Sequence, residues 1–168
     1  MSEGVNPKDL IGLTKLPLSL VPITAKVYGC LGQLDGMLKY GRYNWRMFGI
    51  FLSVYVEALE RHIEALKAGE WVDTDSGLPH VSHILATANI LADAYALGLI
   101  VCDYAPQRTI IQLGEPDYTD YRTFINRMTT HVPRLKALHA GRNPRHYGAL
   151  DVCHPPVGRP EPSEEETP

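Results

Sequence analysis

Apolar residues recur every three or four positions along four stretches of this chain. No stretch alternates with the period of two that marks a half-buried strand. The first stretch predicts a helix over 23–40, with Val27, Leu31, Leu34 and Leu38 as its apolar line. Gly29, Gly32 and Gly36 weaken that helix by about 1 kcal/mol each relative to alanine; residues so small also permit a close helix–helix approach. Gly41 is a natural stop, which leaves 42–46 as a loop. A second helix is expected over 50–68, ending at Gly69. One apolar line on it contains Phe51, Tyr55, Ala58, His62 and Ala65, and its polar face carries Glu57, Glu60, Arg61, Glu64 and Lys67. Residues 70–77 read as a loop in which Asp75 or Ser76 can cap a third helix, with Pro79 in the first turn and the end near residue 101.

Pro106, Gly114 and Pro116 keep 102–117 irregular. A fourth helix begins near residue 118, with Tyr121, Phe124, Ile125, Met128, Val132 and Leu135 as its core stripe, and Pro133 should kink or split it. Pro7, Pro17 and Pro22 make 1–22 an extended arm laid over the domain. The expected architecture is all-α, a four-helix arrangement forming a single domain over 1–150, with a disordered Pro-rich tail over 151–168.

Composition narrows the class. At 168 residues and a net charge of −3, the chain can bury a core of its own and carries no overall basic field that would suit duplex nucleic acid. Cys30, Cys102 and Cys153 are far apart and form no CxxC pair, which argues against a zinc finger or a disulfide framework and fits a reducing cytoplasm. The N-terminus lacks a basic start followed by an apolar run, so no secretory leader is expected. The apolar stretch 81–101 is interrupted by His83, Asn89, Asp93 and Tyr95, which suits a buried helix rather than a membrane span.

The chemically useful side chains concentrate between residues 39 and 93. Glu57 and Glu60 lie one turn apart and can hold a hard cation, or can belong to a solvated face with Arg61, Glu64 and Lys67. His62 falls on an apolar line, as a core residue or a ligand. His80 and His83 form a second one-turn pair, with Asp93 on another side of the same helix, and Glu70 and Asp73 in the preceding loop can reach the same place or cap the helix. Lys39, Tyr40, Arg42, Tyr43, Asn44, Trp45 and Arg46 combine cations with rings, suited to phosphate and base or to an ordinary loop anchored by Trp45. No Walker or Rossmann glycine fingerprint and no GxSxG motif is present.

The strings Asn6-Pro7-Lys8-Asp9-Leu10-Ile11-Gly12, Lys15-Leu16-Pro17-Leu18, Lys39 to Arg46, Arg61-His62, Ser76-Gly77-Leu78-Pro79-His80 and His83 resemble the phage dATP/dGTP diphosphohydrolase domain family. His131-Val132-Pro133-Arg134-Leu135-Lys136 and Pro144-Arg145-His146-Tyr147 extend the resemblance to residues 6–147. That family is related to the all-α MazG-like nucleotide pyrophosphohydrolases, which release pyrophosphate from nucleoside triphosphates with divalent metal on an ExxE pair and an ExxD pair. The resemblance implies a homo-oligomer, dimer or tetramer, acting on a purine deoxynucleoside triphosphate in the host cytoplasm. Glu57 and Glu60 match the first pair. The second is missing: Glu70 and Asp73 have the letters but lie in a loop, and the third helix offers His80 and His83 instead. Imidazole ligands favour Mn²⁺ or Co²⁺ over Mg²⁺.

The expected catalytic set is Glu57, Glu60 and His62. Metal would sit among Glu57, Glu60, Asp73, His80, His83 and Asp93. Substrate would meet Lys39, Tyr40, Arg42, Asn44, Trp45, Arg61, Arg142 and Arg145. Two other readings remain: a nucleotide-sequestering protein that has lost a metal ligand, and an HD-like metal phosphohydrolase built on His62, His80 and His83.

Overall fold

The computed structural model describes residues 6–12, 14–104 and 118–142. Helices dominate: α1 (Pro7–Gly12), α2 (Ile23–Tyr40), α3 (Asn44–Phe48), α4 (Leu52–Lys67), α5 (His80–Ala96), α6 (Tyr121–Thr129) and α7 (His131–Leu138). The class is all-α. α5 is the central element, and α2 and α4 both pack along it.

The glycines of α2 decide how it meets α5. Gly29 and Gly32 are buried, and a Cβ at Gly32 would overlap the Ser82 carbonyl and the Ala86 methyl. The apolar line Val27, Leu31, Leu34 and Leu38 therefore points away from α5 and is 53, 37, 48 and 75 % exposed. Hydrophobicity predicted the helix correctly; the closeness allowed by missing side chains chose its buried face.

A short parallel strand pair ties the start of α4 to the end of α5. β1 (Ile50–Phe51) pairs with β2 (Ile100–Val101), in the register Ile50 to Ile100 and Phe51 to Val101. The periodicity missed these strands because two residues are too few to show alternation. Gly49, at φ 70°, makes the entry turn, and a Cβ there would lie 3.0 Å from the Leu99 carbonyl oxygen. Asp103, just past β2, accepts from the Ser53 backbone N–H at 2.9 Å and from its hydroxyl, satisfying a free donor in the first turn of α4. Trp45, Ile50, Ala94 and Ile100 form the buried core here, with Leu52, Tyr55, Ile90, Leu91 and Leu99 packed on it.

Several boundaries differ from expectation. The arm is not extended throughout: it contains α1 and a 3-10 turn at Leu18–Leu20. The 42–46 loop gives way to α3, whose Trp45 is driven into the core. α5 stops at Ala96, so 100–101 is strand rather than helix. Pro79, and neither Asp75 nor Ser76, stands at the α5 N-cap. The fourth helix is split into α6 and α7, with Pro133 accommodated in the first turn of α7. The tail 151–168 lies outside the described residues. Among the described residues no helix is long and apolar enough to cross a membrane.

Candidate metal centre and cleft

α4 and α5 run antiparallel, so the last turns of α4 meet the first turns of α5. This crossing brings together side chains distant in sequence. His62 Nδ1 lies 2.9 Å from His80 Nδ1, and the His62 ring stacks on that of His83 with centroids 4.7 Å apart. Ligand atoms of His62, Asp73 and His80 all fall within 4.8 Å of one another.

The facing nitrogens constrain the chemistry. Each neutral imidazole has one N–H and one lone pair. Two Nδ1 atoms this close either share one proton or both direct lone pairs at a common cation. Two nitrogens about 2.1 Å from one ion stand about 3.0 Å apart at a right angle and about 3.4 Å apart at the tetrahedral angle, so the observed spacing fits a shared ion. Desolvation, followed by the neighbouring His83 and His80, holds the His62 pKa below its usual value, which keeps the ring neutral as a ligand must be.

Second partners orient the rings. His80 is 3 % exposed, and its Nε2 has no hydrogen-bond partner; the Glu70 carboxylate stands 3.6 Å away, in reach of a small adjustment. A carboxylate behind the distal nitrogen is the usual companion of a metal-bound imidazole. Ser76 Oγ donates to Asp73 Oδ2 at 2.6 Å and lies 2.8 Å from His83 Nε2. Since the hydroxyl has one proton and the carboxylate takes it, His83 must donate from Nε2, which leaves its Nδ1 lone pair free. The hydroxyl and backbone N–H of Ser76 lower the Asp73 pKa against burial.

The cluster sits at one end of a cleft of about 560 Å³ between α2, α4 and α5, a usual size for a small-ligand site. Of the expected substrate residues, Lys39, Tyr40, Asn44, Trp45 and Arg61 line it, as do His62, Asp73 and His83 of the expected metal and catalytic residues. Lys39 is paired with Asp35 at 2.7 Å, which raises its pKa.

Others are placed elsewhere. Glu57 and Glu60 are exposed and outside the cleft lining. At about 100° per residue, Glu60 is turned about 120° from the face of Val54, Ala58 and Arg61, while Glu57, one turn before Arg61, stands at the edge of that face. Local desolvation and the charges of Glu60 and Glu57 raise the pKa of Tyr104 on that side. Asp93 belongs to a separate structural knot: it accepts from Trp45 Nε1 at 2.7 Å and from Arg46 Nε and an Arg46 terminal nitrogen at 2.8 and 2.7 Å. Those donors outweigh its desolvation and keep its pKa low. Trp45 is thereby fixed by its indole N–H, with its ring at the cleft wall. Arg42 lies over the Tyr43 ring, 5.1 Å from its centroid. Arg142 is exposed beyond α7, and Arg145 falls outside the described residues.

Sequence reasoning missed Gln33, Asp35, Tyr55 and Thr87 in the cleft. Ser76, one of two residues expected to cap the helix, instead bonds Asp73 and lies against His83 Nε2. The available signal for Gln33 and Asp35 was their position beside the glycines of α2.

Fold and site together define an all-α protein with a histidine–carboxylate cluster at the end of a small-ligand cleft. The chain belongs to the family described as dATP/dGTP diphosphohydrolase, N-terminal, which it matches over residues 5–100. That span contains every residue of the cluster and the cleft, while the C-terminal strings at 131–147 lie beyond it. No curated protein and no solved structure matches the chain.

Proposed function

We propose that this cleft hydrolyses a purine deoxynucleoside triphosphate to the monophosphate and pyrophosphate, with a divalent transition-metal ion held by His62, Asp73 and His80. The observation that carries the reading is the convergence of those three side chains at one end of a cleft whose lining includes cations and an aromatic wall. The family's description supplies the reaction class. Two imidazoles and one carboxylate suit Mn²⁺ or Co²⁺ better than Mg²⁺. Such an ion would polarise the α-phosphate and activate the water that attacks it, expelling pyrophosphate with the α,β-bridging oxygen. Arg61 and Lys39 offset phosphate charge, Glu70 and Ser76 fix the imidazoles, and Trp45 flanks the base. Glu57, Glu60 and Asp93 stand outside this ligand set.

The same convergence favours one second reading, an HD-like metal phosphohydrolase that releases intact triphosphate and nucleoside. Product analysis separates the two. Each deoxynucleoside triphosphate is incubated with the protein and Mg²⁺, Mn²⁺ or Co²⁺, and the products are resolved by ion-pair chromatography. Monophosphate plus pyrophosphate, lost in His80→Ala, is the expected result. Nucleoside plus triphosphate would establish the second reading. No turnover with any metal would leave a nucleotide-binding protein in place of an enzyme.

A homo-oligomer belongs to this proposal. Val27, Leu31, Leu34 and Leu38 follow a four–three–four spacing, the narrow seam by which one helix packs on another like itself. Ile23, Leu20 and Val21, at 73, 76 and 51 % exposed, extend the same apolar surface. A second copy presenting the same seam is the complementary occupant.

A further inference from the structure

We infer that the cleft admits a nucleotide only after its metal is seated on the protein, and that Asp75 is the residue whose charge holds polyphosphate out until then. The inference rests on the nucleotide reading above and adds to it the order in which metal and nucleotide bind.

The charged side chains of the lining carry the argument. They are Asp35, Asp73 and Asp75 against Lys39 and Arg61, with His62 and His83 counted neutral, which leaves one net negative charge. Lys39 is already bonded to Asp35 at 2.7 Å. That bond first, and the charges of Asp35 and Asp73 after it, raise the Lys39 pKa, so the field of the 70–77 loop reaches α2. A triphosphate brings about four negative charges, and Arg61 is the lining cation left to meet them. A cleft of this sign repels its own ligand.

Asp75 differs from the other two carboxylates. Asp35 is engaged by Lys39, and Asp73 by Ser76 and the imidazoles. Asp75 is exposed and makes no hydrogen bond or ion pair among the described residues. Uncompensated in the wall of a cleft for an anion, it opposes entry. A divalent ion at His62, Asp73 and His80 turns the net charge of the lining from one negative to one positive. Those three ligand atoms lie within 4.8 Å of one another, so the protein supplies enough donors to keep the ion without a nucleotide. Magnesium sites completed by substrate phosphates differ, because there the cation leans on the nucleotide for its ligands.

The test uses deoxyadenosine triphosphate with a methylene group in place of the α,β-bridging oxygen, which cannot lose pyrophosphate. Its affinity is measured by equilibrium dialysis at low salt on two forms of the protein. One is stripped of metal by chelator; the other is loaded with Mn²⁺ and freed of excess ion by gel filtration. The loaded form should bind about 10- to 100-fold more tightly. Asp75→Asn should tighten both forms by a similar factor, about three- to tenfold, because Coulomb contributions add. That gain should shrink in about 0.5 M salt, and Asp75→Glu should keep the parent affinities. Equal affinity of the two parent forms would overturn the inference. So would a stripped protein that takes the preformed Mg²⁺–nucleotide complex as tightly as the loaded protein takes free nucleotide. An Asp75→Asn variant unchanged in both forms, or weakened when loaded, would overturn the role of Asp75, the latter by making it a contact to the substrate or its cation. If neither form binds, the nucleotide reading itself falls and takes the inference with it, a result distinct from equal binding by both.

Discussion

At the scale of single residues, what already occupies a carboxylate separates a candidate ligand from a structural group. Asp93 and Asp73 are both carboxylates with lowered pKa, but Asp93 has both oxygens taken by Trp45 and Arg46, while Asp73, bonded by Ser76 through Oδ2 alone, converges on two imidazoles. Removing Asp73 or His80 should abolish stoichiometric Mn²⁺ uptake, measured by metal analysis after dialysis, whereas Glu57→Gln should leave it intact. Ser76→Ala, which frees His83, is expected to weaken metal affinity or turnover about 10- to 100-fold, with circular dichroism little changed. Asp93 has a different signature. Its folded pKa lies below the usual 3.8, so its stabilisation is present above that value and is lost as the pH falls through the lower folded value. Asp93→Asn should cost about 2 kcal/mol near neutrality, the worth of hydrogen bonds to a charged group, and should flatten the acid limb of a Tm-versus-pH curve. An acid limb of unchanged steepness would remove Asp93 from that role.

Among the elements, α2 shows two faces with opposite demands. Its glycine seam at Gly29 and Gly32 is where α5 approaches, and Gly32 and Gly36 should respond with opposite sign. Gly32→Ala drives a methyl into the Ser82 carbonyl and should destabilise by about 1–3 kcal/mol. At Gly36 a Cβ meets nothing within 4 Å, so Gly36→Ala should stabilise by about 0.5–1 kcal/mol through helix propensity alone. Urea titration of both variants checks the pair, and equal effects would contradict the packing described. The split between α6 and α7 has a local cause and was readable. Pro133 cannot donate within a continuous helix, and Thr130 closes the first segment by donating its hydroxyl to the Arg127 carbonyl. The β1–β2 pair was not readable, because its two residues per strand acquire meaning only when 50–51 and 100–101 are already side by side.

For the whole molecule, the unfilled question is what covers the outer face of α2. The proposed second copy predicts that light scattering after gel filtration finds a dimer or larger assembly, and that Leu34→Lys shifts it to monomer without loss of helical content. A monomeric parent protein would remove the self-association proposal. The long helices were legible in the sequence, though the short α1 and α3 were not: Ile23–Tyr40 coincides with its predicted bounds, because apolar period, stop signals and proline positions act within a few residues of where they stand. The all-α class follows from the same local rules. Only the tertiary structure decided which face of each helix is inward. A periodic line fixes directions relative to one another but not relative to a neighbour, and a seam of glycines buries itself without registering as hydrophobic. That choice turned Leu31 and Leu34 outward and left Glu57 and Glu60 exposed outside the cleft lining. By the antiparallel crossing of α4 and α5, it also brought His62 against His80 across 18 positions of chain, a meeting that no spacing along either helix encodes.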